Sequence, residues 1–490
     1  MPAARRLASR GWGTGALLCL VGSVVLELSF SGRGGILIGR YRMLVVLGGW
    51  WLLFAAGVWC VAHLPRRAAV LLVVAGTLAL HTAGLVRGPQ TSDDIYRYIW
   101  DGKVQAAGID PYRYPPDDPQ VASLRSAFLW PGPAACAEQL RAPGCTRLNR
   151  PSARTIYPPL GELWFLGLHA LYPPGDALLA LQLPNALVDL AVVGLLLALL
   201  RTLGRDPRWA VLYAWCPLVV AETAMDGHVD ALETLLAVAG LSALVRRRAA
   251  FGSGLLAAAA MVKLFPALLL PVALRRRPVR AAAAAALVVG VGYLPHVLAV
   301  GTHVLGFLPD YLMEEKYDEG SRFVLLGLLG LSGRAAQAVA LGSLAVVALS
   351  VLRDRGQDVP GLALRLLGTA FLLATPVQPW YSLLLVAVVA LDGRWEWLAL
   401  GAAAYPLYFA AVLDGDTVRV GRVSYSAALA LIVIVGLLRR RRRQDLQVAV
   451  GPAGDVDDTG GLVDGQRVGL PHGREAGQLG QSGGVDPEPD

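Results

Sequence analysis

Two adjacent carboxylates, Asp93 and Asp94, stand near the head of a polar run, TSDDIYRYIWDGKVQAAGIDPYRYPPDDP, in an otherwise apolar chain. A carboxylate poised beside a hydroxyl group can take its proton as a general base while another bond breaks. The same pair also has a purely local use. Asp93 can cap a helix N-terminus, and Asp94 can complement the helix dipole in the first turn. A second group of ionisable residues, Glu222, Asp226, His228, Asp230 and Glu233, interrupts the apolar run AETAMDGHVDALETL. Such groups at membrane depth are costly unless they face a cavity or a partner, so they read as a functional site. His228 with Asp230 resembles part of a metal site, but ligands at i and i+2 do not share a helix face, and no metal is indicated. Lys263, in AAMVKLFPALLLP, is either paired with a carboxylate or placed for an anion. Arg154 and Tyr157 precede the Pro-Pro start of a helix in RTIYPPLGELWF, where the arginine either binds phosphate or snorkels. In LATPVQPWYSLLL two prolines break an apolar run and present Gln378 and Tyr381; an aromatic belt accounts for Tyr381 more easily than for Gln378.

The elements that must hold these residues are membrane helices. Of 490 residues, 55% are hydrophobic and 16% charged, and the mean hydropathy is +0.52; soluble domains carry roughly a quarter charged residues. Apolar runs at 43–64, 68–86, 178–200, 281–300 and 335–352, with a shorter one at 15–28, approach the ~20 residues that cross a bilayer. The expected class is an all-α polytopic membrane protein. The net charge of +8 resides in short arginine clusters, which suit cytoplasmic loops rather than a nucleic-acid groove. The N-terminal run lacks a small-x-small cleavage site and reads as a retained first span.

Placing the arginines inside predicts about a dozen crossings, with 1–87 as N-terminal spans, 88–155 as a long extracytoplasmic loop, 156–438 as the main bundle, and 439–490 as a basic stop with a disordered cytoplasmic tail. Two stretches, 157–170 and 251–274, do not fit as full crossings and are expected to be half-spans or broken helices, which are tolerated only where buried or lining a wet cavity. Helical spacing from Asp94 to about residue 107 puts Asp94, Arg97 and Asp101 on one face, and Gly108 ends the helix. That helix is expected to lie along the outer membrane surface with Trp100 and its tyrosines at headgroup level. Cys136 and Cys145 share the long loop, where an oxidising compartment permits a disulfide but does not require one.

The stretches SDDIYRYIWDGKVQAAGIDPYRY, TIYPPLGELWF, MDGHVDAL, MVKLFPALLLP and TPVQPWY together resemble the GT-C superfamily of integral membrane glycosyltransferases, over roughly 92–381. Among its members they look most like the polyprenol-phosphate-mannose-dependent mannosyltransferases of actinobacteria, and they are similar to the catalytic subunit of glycosylphosphatidylinositol mannosyltransferase. The resemblance implies a cell-membrane enzyme with an extracytoplasmic active site. It would transfer a sugar, mannose by this resemblance, with inversion from a polyprenyl-phosphate donor to a glycolipid or polysaccharide acceptor. It also implies that a first-loop aspartate is the base. Where relatives carry one acid or Asp-x-Asp, this chain has Asp93 and Asp94; both are candidates, with Asp93 as base and Asp94 holding the acceptor. Lys263, Arg154 and Arg322 become candidates for the lipid phosphate, His228, Asp230, Gln378 and Tyr381 for the sugar and carrier pocket, and Arg97, Asp101, Tyr157 and Asp226 further candidates for binding substrate. The other reading of broken helices with buried charges is a secondary transporter or a flippase of lipid-linked sugars.

Overall fold

The computed structural model describes residues 2–30, 35–86, 88–138, 141–171, 178–413 and 415–450. The glycine-rich tail expected to be disordered lies outside them from residue 451 on. The chain divides into a unit Met1–Gly436, which holds everything discussed below, and a second from Leu437 onward, whose described residues continue a helix to Val450.

Among the described residues there are helices and no strands. In chain order the longer helices are α1 (Pro2–Phe30), α2 (Gly35–Ala62), α3 (Arg66–Leu85), α4 (Asp94–Ala106), α5 (Pro159–Leu171), α6 (Leu179–Thr202) and α7 (Asp230–Val245). There follow α8 (Ala249–Ala260), α9 (Pro278–Val300), α10 (Gly333–Arg353), α11 (Val359–Ala374), α12 (Ser382–Asp392), α13 (Leu398–Val412) and α14 (Thr417–Val450). Among the described residues seven helices are long and apolar enough to cross a membrane, and they cover the apolar runs read from the sequence together with 417–442. Four shorter apolar helices accompany them. The chain is a polytopic membrane protein.

The two stretches that resisted a full crossing are short or broken. Helix α5 has 13 residues, about 20 Å of helix, too little to span. Helix α8 stops at Ala260, and the chain continues through a turn at Lys263 into short pieces, Phe265–Leu269 and Leu270–Leu274, which begin with Pro266 and Pro271 near their first positions. The broken ends satisfy each other. The Met261 carbonyl accepts from the backbone N–H groups of Leu160 and Gly161, at 2.9 and 3.1 Å, so the end of α8 serves as the cap that α5 would otherwise lack. The 221–229 stretch is interrupted in another way, by a π-turn at Ala221–Met225 and by Gly227 at φ +69°.

Helix α4 starts at Asp94 and gives way to Gly108 (φ +77°), as its spacing predicts. Its aromatic residues Tyr98 and Trp100 are covered by protein rather than left open to headgroups, which corrects the expectation placed on them. Ile95, Tyr98, Ile99 and Trp100 are all buried in a second core that α4 shares with α5 and with the 109–158 loop. Tyr98 stacks on Phe165 with 4.4 Å between ring centres, and Trp100 meets Trp130 edge-on at 4.9 Å. The backbones approach closely: a Cβ on Gly102 would stand 2.5 Å from the Phe165 carbonyl oxygen. The large apolar residues of α4 thus find protein partners on more than one face of the helix. The long loop is folded, too, and is closed by a Cys136–Cys145 disulfide.

Candidate active site

The acid pair sits at the start of α4, on a loop anchored from below. Asp226, at the end of the π-turn, accepts hydrogen bonds from the backbone N–H groups of Gln90 and Thr91, at 2.6 and 3.1 Å, and from the Thr91 hydroxyl. Tyr408 of α13 donates to the Thr91 carbonyl at 2.6 Å. Asp93 occupies the N-cap position, but its carboxylate makes no capping hydrogen bond. Instead the side-chain amide of Asn149 reaches both acids, donating to Asp93 Oδ1 at 3.0 Å and Asp94 Oδ1 at 2.6 Å. Tyr157 donates to the other oxygen of Asp94 at 3.2 Å. Burial and, next, the neighbouring charge of Asp94 push the Asp93 carboxyl up to about 6, against the lowering influence of Asn149 and Arg141. A carboxylate with that basicity is about nine-tenths ionised at pH 7 and a better proton acceptor than an ordinary aspartate.

Both acids line a cavity of about 1600 Å³. Arg154, Tyr157, Lys263, Arg322, Gln378 and Tyr381 line it with them. Lys263, at the break after α8, is an ion-paired lysine: its Nζ lies 2.6 Å from Asp230 Oδ2, and 4.9 Å from the ring centre of Tyr381. Arg322 pairs with Glu315 and donates to the Ala374 carbonyl at 2.9 Å. Gln378 donates to the same Glu315, and Tyr381 shares a 2.8 Å hydrogen bond with Tyr311. This wall is fastened by Thr375, which follows α11 in the left-handed region (φ +39°) and donates to the Arg322 carbonyl at 2.6 Å. A non-glycine residue holds that conformation only where its surroundings enforce it. Across the cavity Arg150 pairs with Glu314. Of the lining cations, Arg154 and Lys316 form no ion pair among the described residues; Arg154 donates to the Arg113 carbonyl at 3.2 Å.

Other predicted site residues stand behind this surface. Arg97 reaches the cavity wall; its Nε donates to Asp101 at 2.9 Å and its Nη1 to the Ala153 carbonyl, while its buried Nη2 has no hydrogen-bond partner among the described residues. Asp101 is fully buried beneath it and does not line the cavity. Asp226, His228 and Asp230 are likewise buried away from the lining surface. His228 stacks on Trp380 with 4.1 Å between ring centres and pairs with Glu222, so it backs a ring that does line the cavity. Their contacts are with Thr91 for Asp226, Trp380 for His228 and Lys263 for Asp230. Asn149, Arg150, Glu314, Glu315 and Tyr408 line the cavity and were not foreseen. Among the described residues no cluster of three or more His, Cys, Asp or Glu side chains is arranged to hold a metal ion.

The same cavity is lined by apolar side chains as well, among them Leu268, Pro271, Leu341, Leu344, Ala348 and Leu366. A lining of both kinds suits a ligand that joins a hydrocarbon chain to a polar headgroup. Compared with known families, residues 155–376, a little under half of the chain, match Glycosyltransferase family 87. The acid pair lies on the N-terminal side of the matched stretch. No curated protein and no solved structure matches the chain.

Proposed function

We propose that the chain is a GT-C type membrane glycosyltransferase, a reading supported by the family 87 match over 155–376, and that its cavity transfers a sugar from a polyprenyl-phosphate donor to a hydroxyl of a glycolipid or polysaccharide acceptor. The observation that carries this reading is that Asp93 and Asp94 share one cavity with a set of apolar side chains and several cations. A polyprenyl chain would lie against the apolar lining, and its phosphate among the cations. Arg154 and Lys316, having no carboxylate partner among the described residues, suit it best, while Lys263 and Arg322 contribute from within their ion pairs.

Asp93 is the base in this scheme. It takes the proton of the acceptor hydroxyl as that oxygen attacks the anomeric carbon, and the bond from that carbon to the phosphate oxygen breaks on the opposite face, inverting the configuration. The phosphate leaves with the electron pair, stabilised by the lining cations. A base of this kind contributes about 10²–10⁴-fold in rate. Asp94, held by Tyr157 and Asn149, orients the acceptor.

The proposal includes a GT-C arrangement of about a dozen crossings with the acid pair on the extracytoplasmic side. The seven long and four short apolar helices support the first part, and the Cys136–Cys145 disulfide in the same loop supports the second, since such bonds persist in oxidising compartments. Mannose as the sugar rests on the resemblance of the motifs. The test uses purified protein with labelled polyprenyl-phosphate-mannose and a crude lipid extract. Label entering a glycolipid supports the proposal. Label that instead crosses a reconstituted bilayer without transfer turns the reading to a flippase.

A further inference from the structure

Asn149 belongs to neither α4 nor the main bundle, yet it is the side chain that touches both acids. It is delivered by a short, heavily tied segment. Cys136 and Cys145 are bonded to each other, Arg141 donates to the Cys136 and Thr146 carbonyls at 2.9 and 2.7 Å, and Arg147 N–H donates to Leu129 at 2.9 Å. The Arg147 guanidinium lies over Phe128, 4.6 Å from its ring centre, and Leu148 is buried. Immediately after Asn149, Arg150 is in the left-handed region at φ +45° and pairs with Glu314.

We propose that Asn149 is a positioning residue for the carboxylate pair, an uncharged clamp whose amide holds Asp93 and Asp94 side by side, and that the Cys136–Cys145 bridge maintains the loop that delivers it. This deepens the glycosyl-transfer reading and rests on it for its functional meaning. The chemistry of the clamp explains the choice of residue. Two adjacent carboxylates repel, and an arginine or lysine between them would relieve the repulsion by forming an ion pair that makes Asp93 a weak base. An amide donates a hydrogen to each acid without adding charge, so repulsion is softened and basicity kept.

The groups facing Asp93 are Asp94 and Tyr96 on α4, Tyr408 on α13, and Asn149 and Arg141 on the loop. Facing Asp94 are Arg150, Tyr98, Tyr157, His228 and Tyr408. Of these, Asn149 alone hydrogen-bonds both. Its removal therefore leaves burial and Asp94 to act on Asp93 with less opposition, and the Asp93 carboxyl, at about 6 in the intact site, moves upward.

The experiment labels carboxyl groups of the full-length protein in detergent with a carbodiimide and an amine, and follows Asp93 by mass spectrometry from pH 4 to 8. Because it needs no sugar transfer, its outcome is separate from that of the glycosyl-transfer reading. The wild type should titrate near pH 6, and Asn149→Ala should titrate about one unit higher. Reduction of the Cys136–Cys145 bridge, or Cys136→Ser with Cys145→Ser, should shift the wild-type midpoint in the same direction and add little in the Asn149→Ala background. Asn149→Ser, which keeps one donor, should fall between. In a transfer assay a one-unit shift lowers activity about fivefold at pH 6 and hardly at all at pH 8, whereas a merely structural role lowers it equally at both. An unchanged Asp93 midpoint in Asn149→Ala and Asn149→Ser overturns the clamp. A shift in Asn149→Ala without one on bridge reduction overturns the part assigned to the disulfide.

Discussion

Replacing Asp93 by Asn should make the protein more stable at neutral pH. Its carboxyl ionises at about 6 in the folded chain against 3.8 for the ordinary group, so the folded state resists ionisation that the unfolded state accepts freely. A shift of about two units corresponds to ~3 kcal/mol at most. The carboxyl keeps some contact with the open cavity, so screening reduces the figure to about 1–2 kcal/mol. The folded value is raised, so the wild type suffers no penalty below about pH 4, where both states are protonated. The penalty grows between pH 4 and 6 and is constant above. Asparagine carries none of this cost and still accepts from Asn149 through its carbonyl oxygen. Thermal melts in detergent, followed by tryptophan fluorescence, should therefore place Asp93→Asn about 1–2 °C above the wild type at pH 8. The two should converge at pH 4. A variant that melts lower at pH 8, or that differs equally at both pH values, would refute the reasoning, because burial and Asp94 would then not be what raises Asp93.

Two further perturbations test the supports of the site. Lys263→Met leaves Asp230 charged and buried without its partner and should cost about 3–5 kcal/mol, most of it recovered in Lys263→Met with Asp230→Asn; denaturant unfolding in mixed micelles measures both. Gly102→Val drives a side chain into the Phe165 carbonyl, where even a Cβ would stand 2.5 Å away, and should separate α4 from α5. It is expected to cost over ~2 kcal/mol and to abolish transfer together with the protection of α4 amides from hydrogen exchange.

Much of the frame was legible because it depends on local spacing. The long apolar runs, the end of α4 before Gly108, and the breaks around Lys263 and Gln378 follow from composition and from glycine and proline chemistry. Lys263 was left between a carboxylate and an anion, and the structure supplies the carboxylate, Asp230. What could not be read is the identity of distant partners. Asn149 lies 56 residues from Asp93, and nothing in its own neighbourhood distinguishes it from a loop asparagine. Glu315, which gathers Arg322 and Gln378, is similarly silent in sequence. The aromatic residues of α4 misled for a physical reason: Tyr98 and Trp100 suit a lipid headgroup and a protein core equally, and periodicity does not say which one covers them. Asp101, Asp226 and Asp230 were assigned to the site by charge, which is a sound reason to expect a partner but does not tell a ligand from a neighbouring side chain.

The central claim is that the carboxylate at the head of α4 draws the proton from an acceptor as a lipid-borne sugar is transferred. Its most direct test is the single-turnover rate of sugar transfer from a labelled polyprenyl-phosphate donor, measured at pH 7.5 for the wild type and for Asp93→Asn and Asp94→Asn, with donor binding measured on the same preparations. The account predicts transfer by the wild type and a loss of at least about a hundredfold in Asp93→Asn with donor binding retained. Equal rates in the wild type and in both variants would contradict it.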